Sequence, residues 1–296
     1  ILQLLQATSG KVYFKEQEIT SISSEDLRKR RPQMQMIFQD PQDSLNPRMT
    51  VGSIISEPMF EHQRLKVKQR RERVEQLLNS VGLDPYVTNR YPHEFSGGQR
   101  QRVALARALA PRPSFILLYE PFSNLDPMRK DALRDELRRI VKSSATSALI
   151  VTHDTRDALA VADTLAVLKE GKLQQVGSPE RVYFHSTSEY TASLFGKVNR
   201  IPCQLLEGED APHGAPDILV RPADLEITQE VSGGGHIVGK VIASNFRGDF
   251  HEVTLECADG ATGSGDATCV TIYVGADRKP ALGDTVTVRR SRREGD

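Results

Sequence analysis

The sequence predicts an α/β protein with a largely parallel sheet, followed by a smaller β-rich domain. Short apolar segments alternate with amphipathic helical segments up to about residue 199, which is typical of a parallel sheet covered by helices. Beyond that point the helical periodicity ends, and turns rich in Gly and Asp separate short β-rich segments. These segments, at 218–220, 236–244, 252–256, 270–274 and 285–289, predict a small β-barrel or sandwich. We therefore expect two domains, at residues 1–198 and 199–296.

The elements of the first domain are predicted from apolar periodicity and from residues that begin or end helices. A hairpin is expected at 11–19, helices at 24–31, 50–60, 66–81, 97–110, 128–143 and 156–162, and strands at 34–39, 115–118, 147–151 and 164–169. The strands at 115–118 and 147–151 are rich in apolar residues and are expected to be buried on both faces. The basic run from Arg64 to Arg73 is expected to be a solvated helix face in preference to a binding site.

Composition and charge argue against several classes of protein. Lysine plus arginine and aspartate plus glutamate both number 39, so the formal net charge is zero, which argues against nucleic acid as the main partner. The apolar runs are too short to span a bilayer, and residues 1–6 lack the features of a signal peptide. The three cysteines form neither a metal-ligand spacing nor a disulfide framework. These features predict a cytoplasmic protein.

A Ser-Gly-Gly-Gln motif stands at the start of the helix predicted at 97–110. Ser96 is a favourable N-cap residue, and Gln99, three residues later, completes a capping-box pattern. Gly97 and Gly98 let a ligand approach their backbone N–H groups closely, and the helix dipole favours an anion there. Taken alone, the motif fits a phosphate-contacting helix start and an ordinary capped helix equally well.

Five motifs in one order resemble the ATP-binding cassette (ABC) ATPases over about residues 1–195. Residues 95–99 resemble the family signature, Gln39 the Q-loop glutamine, and His153 the switch histidine. Residues 115–121 resemble the Walker B strand with its acidic end, and residues 123–126 resemble the D-loop. Each motif alone is more often structural, whereas five in the family's order and approximate spacing are not explained by chance. The resemblance implies a P-loop NTPase-like cassette that binds ATP and Mg²⁺.

In that family two cassettes pair head-to-tail around two ATP molecules. The resemblance implies that Ser96, Gly97 and Gly98, with Gln99 beside them, contact the γ-phosphate of ATP held by the opposite cassette. The implied partners are a second cassette in a homo- or heterodimer, two transmembrane permease subunits and an extracytoplasmic solute-binding protein. The implied location is the inner face of the cell membrane.

The resemblance also assigns roles to four other residues. Glu120 is expected to polarise the attacking water as general base, and His153 to orient that water and the γ-phosphate. Gln39 is expected to couple the metal ion and the γ-phosphate to the membrane subunits. Asp126 is expected to communicate across the dimer.

Two departures from the family pattern bear on ATP hydrolysis. The Walker A motif, G-x-x-x-x-G-K-[ST], does not occur in the 296 residues and is expected upstream of Ile1. Tyr119 stands where the family has the Walker B aspartate, and a neutral phenol does not offset the charge of a dication as a carboxylate does. Metal binding through Gln39 is therefore in question, and we expect the chain alone to bind MgATP weakly and to hydrolyse little of it.

Two importer subfamilies are represented along the chain. Residues 38–48 and 91–95 resemble ATPases of dipeptide and oligopeptide importers. Residues 121–126 and 220–224 resemble ATPases of ferric-iron, spermidine, sulfate or sugar importers, which carry a C-terminal OB-like β-barrel called TOBE. The two characters meet at 96–102, so a fusion of two subfamilies is one hypothesis.

Three functions are weighed on this basis. The first is an ATP-hydrolysing subunit of a bacterial importer for ferric iron, a similar small solute or peptides. The second is an ABC protein of translation or DNA repair, which a single cassette with neutral charge and no long coiled coil does not support. The third is a catalytically degenerate cassette that acts as a partner or regulatory subunit, which Tyr119 favours. Whether the chain is itself an enzyme stays open at this point.

Overall fold

A computed structural model describes residues 7–38, 45–63, 65–123, 127–203, 217–229, 235–257 and 268–291 of the chain. These residues form two compact units that divide between Asp163 and Thr164. Residues 164–198, which the sequence places in the first domain, associate with the second unit. The domain boundary expected after residue 198 stays a prediction.

The first unit alternates strands and helices, as the sequence predicts. In chain order it contains β1 (Tyr13–Phe14), β2 (Gln17–Glu18), α1 (Ser24–Arg30), β3 (Met34–Ile37), α2 (Val51–Gln63), α3 (Val67–Ser80), α4 (Gly97–Leu109), β4 (Phe115–Tyr119), α5 (Pro127–Ser143), β5 (Ser147–Val151) and α6 (Thr155–Val161). Strands β1 and β2 pair antiparallel, which confirms the hairpin expected at 11–19.

Strands β3, β4 and β5 form a parallel sheet with β4 in the centre. In its register Ile37 lies opposite Leu118, and Tyr119 lies opposite Val151. The parallel sheet expected from the strand–helix alternation is therefore confirmed. Because the carboxyl ends of parallel strands meet at one edge, the residues that follow β4 and β5 are neighbours in space.

The helices bury their predicted apolar faces over β3 and β4. On α3, Val74, Leu77 and Leu78 are buried in one cluster, and Val81 follows them at the end of the helix. Leu137 and Ile140 of α5 join the same cluster, with Leu133 partly buried beside it. This stripe of residues three and four apart is what helical periodicity predicts for a helix that packs on a core.

Strand β5 is not buried on both faces, contrary to the expectation for residues 147–151. Most of its side chains are exposed, including Leu149 and Val151. The core helices cover β3 and β4, whereas on β5 only Ile150 packs against their cluster, and only partly. Apolar composition alone therefore does not locate a strand within a sheet, because burial depends on which faces the helices cover.

The second unit contains, in chain order, β6 (Leu165–Lys169), β7 (Lys172–Gly177), α7 (Pro179–Phe184), α8 (Glu189–Leu194), β8 (Asn199–Ile201), β9 (Ile218–Val220), β10 (Leu225–Thr228), β11 (Ile237–Phe246), β12 (Phe250–Cys257), β13 (Thr268–Gly275) and β14 (Thr285–Arg290). Strands β10 to β14 form an antiparallel sheet in the order β10-β14-β11-β12-β13. Its inner face and the β8–β9 pair share one apolar cluster, so the β-rich character expected here is confirmed.

The sequence predicts that residues 164–169 join the parallel sheet, and this prediction is wrong for strand β6. It pairs antiparallel with β7 in a hairpin whose existence the sequence analysis missed. The two connecting residues, Glu170 and Gly171, have φ values of 50° and 74°. Positive φ at both positions is the requirement of a tight hairpin turn, and the Glu-Gly pair in the sequence was the available signal.

Arg221 ties helix α8 to the sheet of the second unit. Its buried guanidinium donates hydrogen bonds to the carbonyl oxygens of Ala192, Gly196 and Lys197 at 2.7, 3.1 and 3.3 Å. It also donates to the carbonyl of Tyr183 at 3.4 Å and lies 4.6 Å from the centre of the Tyr183 ring. A buried cation needs such partners, and helix C-terminal carbonyls supply them.

Candidate functional site

The structure describes most of the predicted site residues. Gln39 and Asp126 lie outside the described residues, so their expected roles stay predictions. Glu120 follows β4 and His153 follows β5, and the structure brings these two together. The Ser96–Gln99 motif lies at the start of α4, where the sequence places it.

The carboxylate of Glu120 is held by the loop that follows β5. Glu120 Oε1 accepts a hydrogen bond from the His153 backbone N–H at 2.8 Å and lies 2.7 Å from the imidazole Nδ1. The Thr152 hydroxyl donates to the other carboxylate oxygen at 3.3 Å. Glu120 is only 8% exposed, so these contacts supply the polar partners that a buried carboxylate requires.

The backbone at Glu120 is in the left-handed region, with φ at 48°. Its N–H donates to the Val151 carbonyl at 2.8 Å, and its own carbonyl accepts from the N–H and hydroxyl of Ser123 at 3.3 and 3.0 Å. A non-glycine residue in this conformation is uncommon and is maintained by surrounding contacts, a pattern that clusters at functional sites.

His153 presents the other, accessible side of the pair. Its imidazole is 81% exposed, whereas the Glu120 side chain beneath it is nearly covered. The hydrogen bond to Glu120 and then its negative charge raise the pKa of His153 above the ordinary value. The exposed ring therefore keeps its positive charge to a higher pH than a free histidine. The pair combines a shielded carboxylate with a proton-carrying group that faces solvent.

A second layer of contacts fixes the segment that carries His153. The Asp154 side chain caps α6 by accepting from the backbone N–H of Arg156 at 2.9 Å, and Lys130 of α5 donates to Asp154 at 3.2 Å. Burial opposes ionisation of Asp154, but the Lys130 hydrogen bond and the backbone donors outweigh it and lower its pKa. Thr152 Oγ1 accepts from the Asp154 N–H at 3.0 Å, which links this cap to the Glu120 contacts.

One turn further along, a buried ion pair joins the same two helices. Arg134 of α5 donates through Nε to Asp157 Oδ1 at 2.7 Å, and both side chains are buried. Sequence reasoning missed Lys130, Arg134, Asp154 and Thr152 as supports of the site. The available signal was the spacing of four between Lys130 and Arg134, which places both residues on one face of α5.

Tyr119 lies at the end of β4 next to Glu120, with 44% of its surface exposed. It contributes no carboxylate to this edge of the sheet, and Glu120 is already engaged by three donors. No group of three or more His, Cys, Asp or Glu side chains that fits a metal ion occurs among the described residues. These residues alone therefore do not fit a Mg²⁺ ion, which prefers carboxylate oxygens.

The start of α4 fits a phosphate group. The Gln99 N–H donates to Ser96 Oγ at 3.5 Å, and the Ser96 N–H donates to Gln99 Oε1 at 3.0 Å, which confirms the capping box. A side chain added at Gly97 or Gly98 would meet no atom within 4 Å. The box leaves the N–H groups of these two glycines available, since first-turn N–H groups have no partner in their own helix.

A family model described as ABC transporter matches residues 1–123. That match includes the signature helix start and the Glu120 end of β4, whose geometry suits phosphate contact and acid–base chemistry. This part of the chain belongs to the ABC transporter family. Within the described part of the chain, no helix is long and apolar enough to cross a membrane.

Relatives of this ABC cassette come from both importer subfamilies. The chain is 39% identical over 199 residues to the oligopeptide transport ATP-binding protein AppF of Bacillus subtilis, covering 67% of this chain and 60% of AppF. It is 38% identical over 213 residues to the Fe(3+) ions import ATP-binding protein FbpC of Pseudomonas fluorescens, covering 68% of this chain and 59% of FbpC. The chain thus spans less than two thirds of the length of these relatives.

A solved structure with the same fold contains a nucleotide. A dimeric ATP-binding cassette in a post-hydrolysis state, bound to ADP and Pi, matches with a TM-score of 0.51 and 28% identity. The match covers 58% of this chain and 74% of that one. The ABC cassette fold expected from the sequence is therefore confirmed, and nucleotide binding is a property of the family.

Proposed function

We propose that the chain forms part of the ATP-binding and ATP-hydrolysing subunit of a bacterial ABC importer. The observation that carries this proposal is the contact between Glu120 and His153 at the carboxyl edge of the parallel sheet. It pairs a candidate general base with a candidate group for orienting water and phosphate. The names of the relatives as importer ATPases support the same function.

In the proposed reaction Glu120 polarises the water that attacks the γ-phosphate. In the structure its carboxylate accepts three hydrogen bonds and is largely covered, so water reaches it most directly when one of these donors moves away. His153 is the donor that moves most readily, because its ring is largely exposed. We propose that displacement of the His153 ring toward the phosphate opens Glu120 to water.

The start of α4 supplies the second half of the proposed chemistry. Ser96, Gly97 and Gly98 bind the γ-phosphate of ATP held by a second cassette, through backbone N–H groups and a hydroxyl. The chain thus contributes Ser96, Gly97 and Gly98 to the ATP site of the second cassette, and Glu120 and His153 to its own ATP site. Gln39 and Asp126 keep their expected roles, contact with the metal ion and communication across the dimer.

The remaining assignments follow the importer proposal. Two permease subunits and an extracytoplasmic solute-binding protein complete the complex, with the cassette at the inner face of the membrane. The cassette ends at residue 198, and residues 199–296 form a TOBE-like domain. Transport of peptides rests on similarity to AppF, and transport of ferric iron or a similar solute rests on similarity to FbpC.

The experiment measures phosphate release by the purified chain alone and after mixing with a cassette that contains a complete Walker A motif. We expect little turnover alone and an ATP-dependent complex with measurable turnover after mixing. Ser96→Ala should weaken that complex, whereas Ser56→Ala, at a half-buried serine of α2 whose hydroxyl bonds only within its own helix, should leave it unchanged. Rapid turnover by the chain alone, or no ATP-dependent complex with any cassette, contradicts the proposal.

A degenerate cassette that regulates or completes a partner is the second candidate function. Tyr119 favours it, because this residue replaces the carboxylate expected beside Glu120. The variant Tyr119→Asp separates the two functions when it is measured in the mixed complex. A large gain in Mg²⁺-dependent turnover identifies Tyr119 as a block at the chain's own site, and unchanged turnover argues that the chain serves only its partner's nucleotide.

A further inference from the structure

A surface cavity lies at the far end of α4 from the signature motif. Its volume is about 390 Å³, and its polar lining comes from Arg73, Gln69 and Gln76 of α3, Gln63 at the end of α2, and Arg112 after α4. Helix α4 has 13 residues, so the cavity and the signature glycines are separated by about 20 Å along the helix axis.

The two arginines of this cavity have no anionic partner in the described part of the chain. The Nε atom of Arg73 is buried without a hydrogen-bond partner, and its Nη1 makes only a long contact of 3.5 Å to Gln76. Glu72 borders the cavity but forms no ion pair with either guanidinium. Arg73 is half-buried and Arg112 is exposed, so only the buried Nε of Arg73 carries a desolvation cost, and a ligand that accepts from this guanidinium would remove it.

Neighbouring arginines show that this lack of partners is not general. Arg71, two residues before Arg73 on α3, pairs with Glu75 at 3.5 Å. Burial, followed by repulsion from Arg112, lowers the pKa of Arg73 below its ordinary value. The two positive charges are therefore close enough to repel each other, and an anion between them relieves that repulsion.

The backbone around Arg112 holds its side chain at the cavity at a conformational cost. Arg112 has φ at 57° and lies between Pro111 and Pro113. Its N–H donates to the Leu109 carbonyl at 3.0 Å, which closes the end of α4. Left-handed backbone at a residue other than glycine is unfavourable and is frequent at ligand sites.

The glutamine amides add donors to the charge of the arginines. Gln76 accepts from Arg73 through Oε1, and Gln69 accepts through Oε1 from the Lys66 N–H at 3.1 Å. Both amides therefore keep their NH₂ groups for a ligand. Guanidinium forks and amide donors together match a tetrahedral oxyanion, whose several oxygens accept hydrogen bonds in parallel.

We propose that the cavity between Arg73 and Arg112 is a binding site for a phosphate-type oxyanion, either a free phosphate or the headgroup phosphate of a lipid. The site is separate from the phosphate contact at Gly97 and Gly98 and does not depend on the proposed function. Arg73 belongs to the basic run from Arg64 to Arg73, which the sequence predicts to be a solvated helix face. In the proposed site, the end of that run binds a ligand.

The experiment titrates inorganic phosphate into the purified chain by calorimetry, in chloride buffer at constant ionic strength. The chain, Arg73→Gln and Arg112→Gln are compared with the control Arg71→Gln, which removes a paired, exposed arginine of the same helix. We expect saturable binding that weakens about tenfold in each of the first two variants and is unchanged in the control, since one charge-assisted contact is lost.

A second arm distinguishes the source of the phosphate. Co-sedimentation with phosphatidylglycerol vesicles that depends on Arg73 and Arg112 but not on Arg71 assigns the site to a lipid headgroup. Calorimetric binding without such vesicle dependence assigns it to a free ion. The proposal is overturned if neither calorimetry nor co-sedimentation detects binding. It is also overturned if Arg73→Gln and Arg112→Gln both bind as the unchanged chain does. The melting temperature of Arg73→Gln without phosphate should be equal to or above that of the chain, because the half-buried guanidinium has no anionic partner, and this result shows that lost binding is not lost folding.

Discussion

The chain has two regions that we expect to contact ATP, the Glu120–His153 pair and the start of α4. They differ in where their polar groups find hydrogen-bond partners. Glu120 finds its hydrogen-bond partners inside the chain, in the loop that follows β5. Gly97 and Gly98, at the start of α4, face open space. The first region is thus closed by the chain's own fold, and the second is completed only by a ligand. The difference suits a cassette whose signature motif serves the nucleotide of a partner.

The largest expected effect is a loss of stability in the closed region, by which we mean the residues around Glu120 and His153 and the ion pair that supports them. Arg134→Met leaves Asp157 buried without its cation and should lower the free energy of unfolding by about 3–5 kcal/mol. Denaturant unfolding measures this loss. The control Arg138→Met removes an exposed pair with Asp163 and should cost less than about 1 kcal/mol. Equal losses in the two variants would contradict the role of the buried pair.

The next effect concerns catalysis by the closed region. Glu120→Gln keeps the size of the side chain but removes the proposed general base of the chain's own ATP site, and should lower turnover by about 10²-fold or more in a mixed complex whose second cassette lacks its own general base. ATP-dependent complex formation should persist, because the glycines of α4 are untouched. Phosphate release and size-exclusion chromatography separate the two readouts. Turnover that survives this substitution would show that another group activates the water.

A smaller effect, of opposite sign for stability and function, probes the open region. Gly98→Ala meets no neighbouring atom and should stabilise α4 by about 0.5–1 kcal/mol, since Ala is the better helix residue. The added methyl group should weaken ATP-dependent complex formation. Gly52→Ala is the contrasting variant, because its Cβ would overlap the Thr88 side chain, and this variant should be less stable. A Gly98→Ala variant that is more stable and still forms the complex fully would show that Gly98 does not contact the phosphate.

The smallest effect is a pH dependence of the closed region. The folded-state pKa of His153 is raised, so the stability it contributes is present below the ordinary value of 6.5 and is lost as pH rises through the folded value. The stability difference between the chain and His153→Gln should therefore be larger at pH 5.5, below the ordinary pKa, than at a pH above the raised pKa of the folded state. In Glu120→Gln, the NMR titration of His153 should move back toward the ordinary value.

Sequence patterns predicted where helices and strands occur better than they predicted which of their residues are buried. The apolar stripe of α3 and the Ser96–Gln99 capping box are local patterns, and both are confirmed. The burial expected for 147–151 was wrong, because burial depends on which strands the helices cover. The strand at 164–169 was placed in the wrong sheet, because its partner is chosen by the turn at Glu170 and Gly171.

The candidate site shows the same division between local and long-range information. Motif resemblance named Glu120 and His153, but their hydrogen bond arises from the parallel register of β4 and β5. The spacing of Lys130 and Arg134 indicates a shared face of α5, but neither helix segment alone identifies Asp157 as the partner of Arg134. Within the basic run, sequence treated Arg71 and Arg73 alike, whereas the fold pairs one and leaves the other facing a cavity.

The contacts of Arg221 decide where a recombinant fragment of the second unit should begin. Its guanidinium is satisfied by carbonyls of Tyr183, Ala192, Gly196 and Lys197, all of which precede residue 199. A fragment cut at the boundary expected from the sequence would lose every one of these acceptors. Expression of residues 164–296 retains them, so the longer fragment is the one suited to isolation and crystallisation.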